Sequence, residues 1–169
     1  GNNESLKSLK DLAVDPTIST NKAFKAINCL TEIAKSGSNA GSEATDMLVD
    51  IADNKKVSSK VRMKSVDGIG KVAQSGNANS AKASEALLRM AKNPENPVGK
   101  RALDNILTMQ DTDKFDQTKL ATVMHTAAKS KKLDNKTRVA AYNKLENLFD
   151  KQGQGAGHAK TMIVDLAKS

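Results

Sequence analysis

The residues with most to offer a ligand are cations that recur at fixed spacings. Lys25, Lys64 and Arg101 stand 39 and then 37 residues apart, and Lys60 and Arg62 return 76 residues later as Lys136 and Arg138. Lysine and arginine pair with phosphate oxygens and carboxylates, arginine through a planar fork that grips two oxygens at once. Aligned on one surface they would hold phosphates or acidic side chains, with an affinity that falls as salt rises. The plainer role for each is to solvate the polar face of an amphipathic helix. Further lysines crowd Lys55-Lys56 and Lys129 to Lys132, where cations beside helix C-termini have a local cause in the helix dipole.

Acid–base and metal chemistry have little to work with. His125 and His158 are the only histidines, and His125 has no carboxylate or second histidine three or four positions away. Neither forms a credible general base or metal ligand set. Cys29 is the single cysteine, so neither an intrachain disulfide nor a cysteine metal site is expected. Between Ile27 and Leu30 it reads as a small buried or half-buried thiol. The Gly153-x-Gly155-x-Gly157 stretch follows a helical pattern and lacks the Gly-Lys-Ser/Thr ending of a phosphate loop, so it reads as a linker. No catalytic residue, cofactor-binding residue, cofactor or metal is assigned, and the chain is expected not to be an enzyme.

Composition narrows the elements that can position these cations. The hydrophobic fraction is 38%, with no Trp, one Tyr and three Phe in 169 residues. A core so poor in rings must be built from aliphatic side chains on closely packed helices. No period-two run of β-branched and aromatic residues suggests a strand, so the expected class is all-α. The net charge of +8, mostly from lysine, favours acidic partners and equally suits a scattered lysine coat. No apolar run approaches the ~20 residues that span a bilayer.

The elements themselves repeat. Leu6-x-x-Leu9-x-x-Leu12-Ala13, Leu48-x-x-Ile51-Ala52, Leu87-x-x-Met90-Ala91, Met124-x-x-Ala127-Ala128 and Ile163-x-x-Leu166-Ala167 share one apolar pattern, with the closing alanines 39, 39, 37 and 39 residues apart. Between them Ile27, Leu30 and Ile33 recur as Val66, Ile69 and Val72, as Leu103, Ile106 and Met109, and as Tyr142, Leu145 and Leu148. One step earlier stand Phe24, Met63 and Val139. Spacing of three makes an apolar stripe on a helix. Each unit is therefore a helix A followed by a helix B, with Ser19, Ser42, Ser58, Ser80 and Asp134 as candidate N-caps. The expected helices are 4–13, 19–36, 42–53, 57–75, 79–92, 97–110, 116–129, 135–151 and 157–168. They group into units 4–37, 42–76, 79–113 and 116–153 and a closing helix, in one domain over 1–169. A single pair cannot bury both of its stripes, so pairs must stack.

The stretch Asp53-Asn54-Lys55-Lys56-Val57-Ser58-Ser59-Lys60-Val61-Arg62-Met63-Lys64-Ser65-Val66 resembles the centre of a HEAT repeat, and Asp134-Asn135-Lys136-Thr137-Arg138-Val139-Ala140-Ala141 is similar. The resemblance implies a right-handed α-solenoid whose B helices line the concave side, and an arginine that ties helix B to a neighbouring turn. The third unit has Val98-Gly99 where Val-Arg would stand, and the first has Lys22-Ala23. Some DNA glycosylases are built from HEAT-like repeats, but a ring-lined nucleobase pocket is hard to assemble from this composition.

The function expected from these features is a non-enzymatic scaffold that presents a curved helical surface to a protein or peptide. The alternative is salt-dependent binding of nucleic acid through Lys25, Lys60, Arg62, Lys64, Arg101, Lys136 and Arg138. Met162, Ile163, Val164 and Leu166 give the closing helix apolar residues enough to cover Leu145, Leu148 and Phe149. It is expected to be either a cap or an edge through which copies self-associate. A start at Gly1 reads as a product of cleavage and the chain as a fragment; a soluble protein, cytoplasmic or exported, fits equally.

Overall fold

The computed structural model describes residues 2–151 and Leu166. The expected closing helix 157–168 lies outside the described residues apart from Leu166, as do His158 and the glycines at 153, 155 and 157. Eight α-helices and no strand occur among the described residues: α1 (Asn2–Val14), α2 (Thr20–Ala34), α3 (Asn39–Asp53), α4 (Ser59–Gln74), α5 (Ser80–Ala91), α6 (Pro97–Thr108), α7 (Gln117–Lys129) and α8 (Asn135–Asp150). The chain divides into two compact units, Gly1–Leu87 and Leu88–Ser169.

One turn is built four times, and it joins each odd-numbered helix to the even one after it. Its amide donors are Ile18, Val57, Asn96 and Leu133, which bond the carbonyls of Asp15, Asn54, Asn93 and Ser130 at 3.3, 3.0, 3.4 and 3.3 Å. Just before it, the amides of Asp15, Asn54, Asn93 and Ser130 close the preceding helices on Leu12, Ile51, Met90 and Ala127. The first two copies are stiffened by their own side chains. Asp15 Oδ1 accepts from the Thr17 amide at 2.8 Å, and Asn54 Oδ1 accepts from the Lys56 amide at 3.0 Å. Each turn delivers a cap: Ser19, Ser58, Asn96 and Asp134 accept from the backbone amide three residues on.

In the first unit α1 packs on α2 and α3, α2 on α3 and α4, and α3 on α4. Odd helices thus touch odd and even touch even. Leu6, Ile27, Leu30, Leu48, Ile51, Ile69 and Leu87 are wholly enclosed there. α2 and α4 approach closely at Gly68, where a Cβ would overlap Thr31 Oγ1. Thr31 turns its own hydroxyl to Ile27 O at 2.8 Å, and Ser65 reaches from α4 to Leu48 O in α3 at 2.6 Å. No buried side-chain nitrogen or oxygen among the described residues lacks a partner.

The connections after α2 and α4 also correspond. Gly37 and Gly76 take φ of 74° and 73°, a left-handed conformation that glycine enters without a Cβ penalty. Ser36 and Ser75 donate to Ile33 O and Val72 O, both at 2.6 Å. From there the two differ. Ser80 adds a second donor to Val72 O at 3.0 Å, but the equivalent Gly41 has no side chain to offer. Asn79 fills the gap: its amide reaches Ala34 O at 3.0 Å through the space a Cβ on Gly41 would occupy. Asn77 donates to the neighbouring Lys35 O. The end of one even helix is thereby sealed by the loop that follows the next.

In the second unit α7 and α6 both pack on α8, around Leu88, Leu103, Ile106, Leu120 and Met124. Phe115 is the one aromatic ring in the core; Tyr142 is half-buried and Phe149 is exposed.

Candidate interaction surface

Each candidate cation stands on an even-numbered helix, and the structure sorts them by what they do. In the first unit Lys25 on α2 and Lys60 on α4 are exposed, whereas Arg62 and Lys64 are half-buried. Arg62 turns back towards α3 and donates from Nε to Ala52 O at 2.8 Å. Lys64 Nζ lies 5.5 Å from the centre of the Phe24 ring, within the range of a cation–π contact. Phe24 belongs to α2, so this contact joins the two packed even helices and sets Lys64 beside the helix that carries Lys25.

In the second unit Arg101 on α6 and Lys136 on α8 are exposed. Arg138 repeats the Arg62 contact, donating from Nε to Ala128 O at 3.3 Å. Both arginines reach back ten residues to the alanine that ends the repeated apolar pattern. A guanidinium there closes a helix C-terminus whose carbonyls would otherwise be open. Lys136 has an acidic neighbour in the cap Asp134. The Thr137 hydroxyl and amide, helped by the charges of Lys100 and Lys136, hold the Asp134 carboxyl below the usual carboxylate range.

Two hollows open along the turns. In the first unit one of about 380 Å³ lies between the first and second turns, lined mainly by Val14, Pro16, Ile18, Val57 and Val61. In the second unit one of about 780 Å³ lies between the third and fourth turns, and its lining includes Lys92, His125, Lys129, Lys132 and Glu95. Glu95 bridges those turns, accepting from Lys132 Nζ at 3.0 Å and from Ser130 Oγ at 3.1 Å. The Lys132 and Ser130 hydrogen bonds hold its carboxyl below the usual range. The lysine run at 129–132 was visible in the sequence, with His125 one turn before Lys129 on α7; its meeting with Lys92 depends on α7 following α5 and α6, which residue spacing alone does not give.

Cys29 is exposed rather than buried or half-buried. Ile27 and Leu30 share one face of α2, and at 100° per residue Cys29 falls about 100° away from Leu30. Among the described residues no group of three or more His, Cys, Asp or Glu is placed to hold a metal ion. None of the described helices is long and apolar enough to cross a membrane. No protein-family model and no curated protein matches the sequence.

Proposed function

We propose that the chain is a HEAT-like α-solenoid, a non-enzymatic module that presents the faces of its even helices to a protein or peptide. One observation carries this reading. The same turn and cap are built four times, and in the first unit odd helices pack on odd and even on even. Packing of that register sets α2 and α4 side by side as a layer that can face a partner. Lys25 and Lys60, exposed beside the Lys64–Phe24 pair, give that layer a cationic character suited to acidic side chains.

Arg62 and Arg138 belong to the scaffold in this reading, and Lys25, Lys60, Arg101 and Lys136 to the surface. Screening a displayed peptide library against the whole chain tests it. Enrichment of acidic peptides whose binding falls on Lys25→Glu or Lys60→Glu supports it, and failure to enrich any peptide overturns it. The alternative, nucleic-acid binding, is met by titrating duplex DNA at two salt concentrations. Binding that weakens steeply with salt and is lost in the same variants would replace the peptide reading.

A further inference from the structure

The two hollows occupy corresponding places, each between the turns of consecutive helix pairs, but their chemistry differs. The first is lined chiefly by aliphatic side chains and the second by Lys92, Lys129, Lys132 and His125 against the single carboxylate Glu95. The geometry points to the second hollow as a binding site for a compact, multiply charged phosphate ligand, such as an oligophosphate or a phosphorylated small molecule.

It is an open hollow of about 780 Å³, wide enough to admit a small anion from solvent. Between the lysines, Asn93, Asn96, Thr126 and Ser130 line the wall with hydrogen-bonding groups, and no Phe, Tyr or Trp lines it. That wall, with His125 as its one ring, suits a small polar anion without a large apolar part. Glu95 organises the site rather than cancelling it. It engages one direction of the Lys132 ammonium, whose side chain is 76% exposed, and an ammonium has three donors. The carboxylate thus pairs with Lys132 at the hollow and leaves the ammonium further donors.

The helix dipole alone does not require these lysines. α1 and α3 end in the same turn with no basic residue in their last turns, so the fold closes without them. Their gathering around one hollow is particular to the second unit. This inference stands independently of the peptide-binding surface on the even helices.

The test is a titration of inorganic tripolyphosphate into the isotope-labelled full chain at fixed ionic strength, followed by backbone amide shifts. Saturable shifts confined to residues 92–96 and 125–132 are expected, together with affinity weakened about tenfold or more in Lys92→Gln/Lys132→Gln. Lys25→Gln/Lys64→Gln, in the first unit, should bind as the parent does. Equal shifts around Lys25 and Lys64, an unchanged affinity in the Lys92/Lys132 variant, or no saturation would overturn the site. A citrate arm separates phosphate recognition from any anion, and equal citrate affinity would overturn the ligand class. A DNA duplex that shifts these residues when tripolyphosphate does not would overturn it in favour of a nucleic-acid backbone. Unchanged far-ultraviolet dichroism shows that the variants are folded.

Discussion

The second and third turns close the same kind of helix end by different means. From the alanine that ends the odd helix to the following cap there are six residues in the second copy, Ala52 to Ser58, and five in the third, Ala91 to Asn96. With six, α4 starts far enough from α3 that a long side chain bridges the gap, and Arg62 donates to Ala52 O. With five, Asn96 ends the turn and caps the helix at once. The first turn of α6 is then drawn onto the end of α5, where a Cβ on Gly99 would overlap Asn93 O and lie 2.9 Å from Met90 O. The fourth copy returns to six, Ala128 to Asp134, and to an arginine. Six residues go with an arginine donating across the gap in the second and fourth copies, and five with Gly99 packed on backbone in the third. The first copy, Ala13 to Ser19, also spans six and holds the buried Ala23 at the arginine's position.

Gly99→Ala should have the largest effect, because the opposing atoms are backbone and cannot rotate away. A loss of about 3 kcal/mol or more is expected, at the upper end for overpacking, read as a fall in the urea midpoint. The comparison is sharpened by inserting one residue after Glu95 in the same variant. If turn length is the cause, the six-residue spacing should restore a good part of the lost stability. A Gly99→Ala protein as stable as the parent would show that α6 can withdraw freely, and would remove the contrast.

Next in size is Arg62→Leu, which leaves Ala52 O without its side-chain donor. The expected cost is about 1–2 kcal/mol for a charge-assisted hydrogen bond at a half-buried site. Arg138→Leu should cost less, since its bond is 3.3 Å against 2.8 Å. Arg62→Lys keeps the charge but not the fork, and should recover only part of the loss. Equal stability of all three variants with the parent would mean that the arginines close nothing.

Much of the helical framework was legible because apolar spacing reports it locally. The eight helices fall where periodicity places them, with no end shifted by more than three residues. Ser19, Ser58 and Asp134 are caps as expected, since a short polar residue after a turn has few other uses. Ser42 and Ser80 are not: α3 begins three residues earlier than expected, under Ser38, and Ser80 is the first residue of α5. Asn96 and Asp116 cap helices without having been marked.

What escaped was whatever depends on neighbours. Leu12 and Ile51 hold one repeat position, yet Leu12 is 36% exposed while Ile51 is enclosed, because α3 is covered by helices on more sides than α1. Val139 shares the position of the half-buried Phe24 and Met63 but is 57% exposed. Gly99 was visible only as a departure from Val-Arg; the backbone it abuts is set by a turn one residue shorter. The sealing of Ala34 O by Asn79 spans 45 positions and leaves no periodic trace. For the basic residues, repetition in sequence marked the set but could not divide it. Arg62 and Arg138 turn inward to carbonyls, and Lys25 and Lys60 remain on the surface.

The smallest effect expected concerns the caps of the two arginine-bearing copies, Ser58 and Asp134. Both accept from the amide three residues on, but only Asp134 titrates. Its carboxyl is held below the ordinary value by Thr137, with Lys100 and Lys136 assisting, so the folded state binds that proton less readily than the unfolded chain. The stabilisation is therefore complete above the unfolded value, near pH 4, and is lost as pH falls through the lower folded value. Asp15, depressed by Thr17, adds a term of the same sign. Urea midpoints measured from pH 6 down to pH 2 should show a shallower acid decline in Asp134→Ser, which installs the second copy's cap in the fourth. Ser58→Asp should steepen it. Parallel pH curves for parent and Asp134→Ser would mean that this carboxylate is as exposed to protonation folded as unfolded, and that the two caps do not differ.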